Sequence, residues 1–116
     1  MKENLKVTHY SDGTPLVDGS GVGNINGDYT TKYYFNYNDS ASNSDVYGKL
    51  YTWNAMMNNT TGSSSVQGVC PTGWHLPSDE EWKELELSLG MSQSEVNWEL
   101  WRGTNEGGKM KAEGTL

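Results

Sequence analysis

Cys70 and His75 are the side chains best suited to nucleophilic or metal-binding chemistry. The chain contains one cysteine and two histidines, so no Cys/His set has the spacing of a metal site. The sequence pairs no general base with Cys70 and places no cluster of cations around it. We therefore interpret Cys70 as a structural residue, with no disulfide partner in this chain, and His75 as a hydrogen-bonded structural histidine.

A group of carboxylates follows directly and could suggest acid–base catalysis. Its members are Asp79, Glu80, Glu81, Glu84 and Glu86. Ser78 followed three residues later by Glu81 is a capping box, which predicts that a helix begins here. Acidic residues in the first turns of a helix also interact favourably with its dipole. Capping explains these carboxylates, and the sequence assigns no catalytic residue.

Two oxygen-rich loops could hold calcium, at residues 24–28 and 38–40. Neither has the full spacing of an EF-hand. We assign no metal ligand and no cofactor, and leave calcium as a minor alternative. The binding residues remain unknown at this point.

The composition limits the class of protein. The net charge is −7, which disfavours nucleic acid and anionic lipid as partners. The 116 residues predict a single domain over residues 1–116, with five Trp and seven Tyr supplying much of the buried area. Abundant Gly, Asn, Ser and Thr predict long loops and are typical of secreted or surface domains. The sequence has neither a run long and apolar enough to insert in a membrane nor a signal peptide.

Alternation predicts strands in the first half of the chain, over residues 4–10 and 29–37. The second segment is rich in tyrosine. It reads either as a strand with its Phe35 side turned to the core or as an extended loop over the core, and a row of tyrosines could instead stack on sugar rings. A helix with Asp45 as N-cap is predicted through residue 57.

In the second half, a helix is predicted over residues 79–89, with Gly90 as its left-handed terminator. Its buried stripe would be Trp82, Leu85 and Leu89. A second capping box at residues 92–95 predicts a short helix to residue 101, with residues 96 and 100 on one face. Residues 109–111 could start a strand.

The stretch around Cys70 resembles the hallmark of the Fibrobacter succinogenes major paralogous domain, a bacterial surface-protein module. The matching residues are Cys70, Pro71, Gly73, Trp74, His75, Pro77, Ser78, Asp79, Glu81 and Trp82. Residues 47–56 are similar to the second motif of this family, residues 3–6 to its opening and residues 103–111 to a third motif. We interpret the hallmark residues as a structural motif, and expect Trp53, Trp74 and Trp82 to be largely buried.

The resemblance implies an α+β, C-type lectin-like fold with two to three helices against a small, mostly antiparallel sheet. It also implies that the chain is truncated, because the C-terminal strands of the family would follow residue 116. A cysteine in that part could pair with Cys70. An incomplete sheet predicts self-association, since unpaired strand edges invite pairing with another chain.

For function, these observations favour a non-catalytic bacterial module that binds glycan or protein through long loops. The resemblance places it outside the cell or on the outer-membrane surface, as a secreted protein or a lipoprotein. The order of elements also resembles the formylglycine-generating sulfatase-modifying enzymes, a likeness of fold alone. The alternative is therefore an enzyme of that fold whose active site lies beyond residue 116.

Overall fold

The computed structural model describes residues 3–61 and 65–111. It is an α+β structure, and the chain divides into two compact units, Met1–Leu76 and Pro77–Leu116.

The first unit contains a three-stranded sheet. Its strands are β1 (Val17–Asp18), β2 (Tyr33–Asn36) and β3 (Lys49–Tyr51), in the order β1-β2-β3. Strand β1 pairs parallel to β2, whereas β2 pairs antiparallel to β3 with Phe35 opposite Leu50. The sheet is thus mixed rather than mostly antiparallel. The strand expected over residues 4–10 is reduced to an isolated bridge between His9 and Pro15.

The prediction of a single helix through residue 57 is wrong. The structure has α1 (Asn43–Tyr47), then β3, then α2 (Trp53–Met57). Gly48 separates α1 from β3 with a φ of 74°, and a Cβ there would lie 2.6 Å from the Cβ of Asn4. The N-cap of α1 is Ser42 rather than Asp45.

The core of the first unit is small and partly aromatic. Its buried members are Tyr10, Leu16, Ala55 and Val69, with Leu5, Val7, Tyr34, Tyr51 and Met56 packed against them. The Tyr10 hydroxyl donates to the Ala55 carbonyl at 2.8 Å, and the Tyr51 hydroxyl donates to the Val7 carbonyl at 2.9 Å. Burial raises the pKa of both phenols, because the phenolate would be poorly solvated there. These bonds fix the segment at residues 7–10 on α2 and β3.

The second unit opens with the predicted helix, α3 (Asp79–Ser88). The capping box is confirmed: the Glu81 N–H donates to Ser78 Oγ at 3.2 Å, and the Ser78 N–H donates to Glu81 Oε2 at 2.8 Å. Gly90, with a φ of 106°, terminates the helix. The N–H groups of Gly90 and Met91 donate to the carbonyls of Leu87 and Glu86, which is the Schellman arrangement.

Beyond α3, the chain makes a single 3₁₀ turn at Glu95–Asn97 and a short helix, α4 (Glu106–Lys109). The second capping box is present, since the Ser92 N–H donates to Glu95 Oε2 at 3.0 Å and the Glu95 N–H donates to Ser92 Oγ at 3.4 Å. We expected this capping box to start a helix to residue 101, but the structure has only the 3₁₀ turn at Glu95–Asn97. Residues 109–111 lie at and beyond the end of α4, so the strand expected there is wrong.

Burial in the second unit differs most from expectation. Val96 is fully buried and Met91 nearly so, while α3 has no buried residue. Leu100, expected on the same face as Val96, is exposed.

Three tryptophans of the family motifs were expected to be largely buried. Trp82 is 46% exposed, and Trp53 and Trp74 are exposed as well. The prediction that these three side chains form the core is wrong.

Candidate functional site

The hallmark stretch forms turns that are held to the rest of the first unit by backbone bonds. The Trp74 N–H donates to the Pro71 carbonyl at 3.0 Å, with Gly73 between them at a φ of 85°. That positive φ is the third-position geometry of a type II turn, which favours glycine. The Val69 N–H donates to the carbonyl of Met56 at the end of α2. The turns therefore explain Pro71 and Gly73 structurally.

The candidate chemical groups of this stretch can be described one by one. Cys70 is half-buried, and burial raises the pKa of its thiol, so little thiolate forms at neutral pH. The His75 side chain is exposed. Pro77 directly precedes Ser78, the N-cap residue of α3. Asp79 and Glu80 form surface ion pairs with Lys83 at 2.7 and 3.3 Å.

A groove of about 510 Å³ lies elsewhere, between the loop at residues 24–29 and the start of α2. Its lining combines amides, one carboxylate and two aromatic rings. The lining residues are Asn24, Ile25, Asn26, Gly27, Asp28, Tyr29, Thr52, Trp53 and Asn54. Tyr29 is 78% exposed and Trp53 is 68% exposed, so both side chains have much open surface.

The loop wall of the groove is ordered by its own side chains. Asn24 Oδ1 accepts from the Asn26 N–H at 2.8 Å, and the Asp28 N–H donates to the Ile25 carbonyl at 3.0 Å. Gly27 has a φ of 91°, which this turn requires. Three bonds converge on Asp28 Oδ1, from the N–H groups of Thr30 and Thr31 and from the Thr30 hydroxyl.

Those bonds set the charge of the groove. Hydrogen bonds from the backbone and side chains of residues 30 and 31 lower the pKa of Asp28 from 3.8 to about 2. Asp28 is therefore ionised at any physiological pH, and the lining carries one fixed negative charge.

The opposite wall is the first turn of α2. Thr52 is its N-cap, since Thr52 Oγ1 accepts from the Ala55 N–H at 3.4 Å. Thr52 also accepts from the Tyr33 N–H at 3.2 Å, which ties the helix start to β2. Ala55 is completely buried, and so the next helix face, which carries Trp53, is turned outward. Trp53 is thus carried by a short helix whose start is anchored through Thr52.

A second, smaller cleft of about 370 Å³ lies in the same unit. Its lining residues are Gly19, Gly21, Gly23, Phe35, Asn36 and Asp39. The Gly21 N–H donates to Asp39 Oδ2 at 3.0 Å, and Asn36 Oδ1 accepts from Ser44 and Lys49. The polar groups around this cleft are engaged in holding the loop and the sheet together.

The carboxylates of the oxygen-rich loops accept hydrogen bonds from the backbone. Asp28 and Asp39 each accept bonds from backbone N–H groups of their own surroundings. Within residues 3–61 and 65–111, no three His, Cys, Asp or Glu side chains gather closely enough to hold a metal ion.

Sequence reasoning expected Trp53 to be buried. It favoured packing of the tyrosine-rich segment at residues 29–37 on the core, as a strand or an extended loop, and kept stacking on sugar rings as the alternative. In the structure β2 begins only at Tyr33, and Tyr29 lies before it. The signal that could have placed Trp53 is Thr52, a good N-cap residue that directly precedes it. With Gly48 ending the preceding helix, Thr52 indicates a new helix whose first residue lies at the surface.

These features define a class: a small α+β domain with a hallmark turn, a capped helix and an open aromatic groove. The chain belongs to the Fibrobacter succinogenes major domain family, whose model matches residues 1–115. No curated protein and no solved structure matches the chain. In the part of the chain that the structure describes, no helix is long and apolar enough to cross a membrane.

Proposed function

We propose that this domain is a non-catalytic module that binds glycan in the groove between residues 24–29 and α2. The observation that carries the proposal is the pair of exposed aromatic residues, Tyr29 and Trp53, in a groove whose lining also includes three asparagines and one carboxylate. Ring faces of this kind pack on the C–H faces of sugars, since the face of an aromatic ring is electron-rich.

The polar lining suits the rest of a sugar. Hydroxyl groups donate and accept, and an asparagine amide presents both a carbonyl acceptor and an NH₂ donor. Asn24, Asn26 and Asn54 bring three such amides to the groove. A few placed polar groups on a mostly apolar or aromatic lining are typical of small-ligand sites. The loop is already ordered, so little conformational entropy is lost on binding.

The remaining parts of the proposal follow the family resemblance. We place the module at the bacterial cell surface or in the secreted fraction, and we expect the domain to be C-type lectin-like. Surface biotinylation of intact cells together with analysis of the culture medium tests the location, and absence of the protein from both fractions would contradict it. An experimental structure of the domain that lacked the lectin-like sheet would contradict the fold expectation.

The experiment on function is a glycan array followed by titration calorimetry with Trp53→Ala. Truncation of a central aromatic residue at an interface costs more than about 1 kcal/mol, so we expect affinity to fall about fivefold or more. Trp101→Ala is the matched control, because Trp101 is also exposed but lies in the second unit, outside the groove lining. Equal glycan affinity of Trp53→Ala and wild type would overturn the proposal, as would an array without any bound glycan.

A further inference from the structure

The charge of the groove selects among glycans. Among residues 3–61 and 65–111, Asp28 is the one charged residue of the groove lining, and none of the lining residues described there is a lysine, arginine or histidine. Polar recognition of a uronate or a sulfate ordinarily uses arginine or lysine donors. An anionic sugar entering this groove would instead meet a carboxylate.

Lys32 is the cation nearest to Asp28 in the sequence. Its Nζ donates to Asn58 Oδ1 at 2.7 Å and lies 5.4 Å from the centre of the Tyr10 ring. It is not part of the groove lining. The whole chain carries a net charge of −7, which adds to the repulsion of anions at low salt.

We propose that the groove takes neutral and amine-bearing sugar chains and rejects uronate and sulfated chains, an inference that rests on the proposed function. A protonated amino sugar binds most tightly, through Asp28. A protonated amine next to the carboxylate would form a solvent-exposed ion pair. Such pairs contribute modestly and are screened by salt. The expected preference is therefore severalfold rather than many orders of magnitude.

The test compares three oligosaccharides of matched length by calorimetry: a glucosamine chain, an N-acetylglucosamine chain and a galacturonate chain. At a pH where the amine is protonated and at low salt, we expect the glucosamine chain to bind about two- to fivefold more tightly than the N-acetylated chain. The galacturonate chain should bind most weakly. Raising the salt concentration should compress these differences.

Asp28→Asn identifies the source of the selectivity. Asparagine keeps an Oδ1 acceptor for the N–H groups of Thr30 and Thr31 but removes the charge, so the loop stays ordered. We expect this variant to lose the preference for the glucosamine chain over the N-acetylated chain. The matched control is Asp12→Asn, because Asp12 Oδ1 accepts from the Thr14 N–H at 2.8 Å in a similar turn outside the groove lining.

The outcomes separate the two proposals. Galacturonate binding as strong as glucosamine binding, or an unchanged preference in Asp28→Asn, overturns the charge selection while the glycan function stands. Binding of none of the three chains, together with an empty glycan array, overturns both. Loss of the preference for glucosamine in both Asp28→Asn and Asp12→Asn would show that the overall negative charge of the protein causes this preference. That result would overturn the role of Asp28.

Discussion

At the scale of single residues, short polar side chains set the local geometry of this protein. Ser78, Asp28 and Thr52 each accept a bond from a backbone N–H a few residues away. Such bonds satisfy donors that the start of a helix or a turn would otherwise leave unpaired. They act over two or three residues, so their effects can be tested one side chain at a time.

Ser78→Ala should destabilise the second unit by about 1 kcal/mol, because the Glu81 N–H loses its acceptor. Urea unfolding followed by circular dichroism measures the change. Ser88→Ala is the control in the same helix, since the Ser88 hydroxyl donates to the Leu85 carbonyl and does not cap the helix start. Equal stability of Ser78→Ala and wild type would mean that the cap contributes nothing.

Asp28 predicts a loss of stability in acid. Its pKa is lowered in the folded state, from 3.8 to about 2, so its stabilising effect is complete above 3.8 and is lost as the pH falls towards 2. Melting temperatures of wild type and Asp28→Asn, measured across this range, should converge as the pH falls. The other carboxylates with lowered pKa values, Asp12 and Asp18 among them, remain in both proteins and cancel in the difference. A difference that does not change with pH would contradict the role of the Asp28 charge.

At the scale of elements, glycines and close contacts decide where the short strands and helices fit. Gly19 follows β1, and its N–H donates to the Tyr34 carbonyl at 2.9 Å. A Cβ there would lie 2.1 Å from Cε1 of Phe35. The Phe35 ring of β2 therefore packs directly on the backbone of Gly19, next to β1.

Gly19→Ala should cost about 1–3 kcal/mol, because the Phe35 ring must move to admit a methyl group. Gly107→Ala is the control: nothing lies within 4 Å of its Cβ position, and it sits in α4. That substitution should be neutral or stabilise α4, since alanine has the higher helix propensity. Chemical denaturation measures both, and an equal effect of the two substitutions would argue against the packing of Phe35 on Gly19.

At the scale of the whole molecule, the tryptophans lie outside the buried cores. All five, at positions 53, 74, 82, 98 and 101, are substantially exposed. The buried residues are instead smaller than tryptophan, such as Val96, Ala55 and Tyr10. Large exposed apolar side chains indicate surfaces available for interaction.

We therefore expect acrylamide to quench the tryptophan fluorescence of the native chain almost as efficiently as that of the urea-unfolded chain. Val96→Ala should cost about 2 kcal/mol, since it removes two buried methyl groups and leaves a cavity. Trp101→Ala should change stability by less than about 0.5 kcal/mol. Strong protection of the native fluorescence from acrylamide, or a large loss of stability in Trp101→Ala, would contradict this distribution of burial.

The sequence by itself determined the features that depend on neighbouring residues. These include the helix that starts after Ser78, its termination at Gly90 and the turn around Gly73. Each is specified by hydrogen bonds or backbone angles within a few residues, so its signal is local. The membership of the family was also legible from the hallmark stretch.

Only the tertiary structure decided which aromatic faces are buried and where the sheet lies. The predicted helix through residue 57 splits because β3 pairs with β2, and that pairing brings together residues 13 to 17 positions apart in the chain, such as Asn36 with Lys49 and Tyr34 with Tyr51. The groove likewise joins the loop at residues 24–29 to Trp53, which lies 24 or more positions further along the chain. Burial and strand pairing depend on contacts between distant residues, which apolar periodicity alone does not encode.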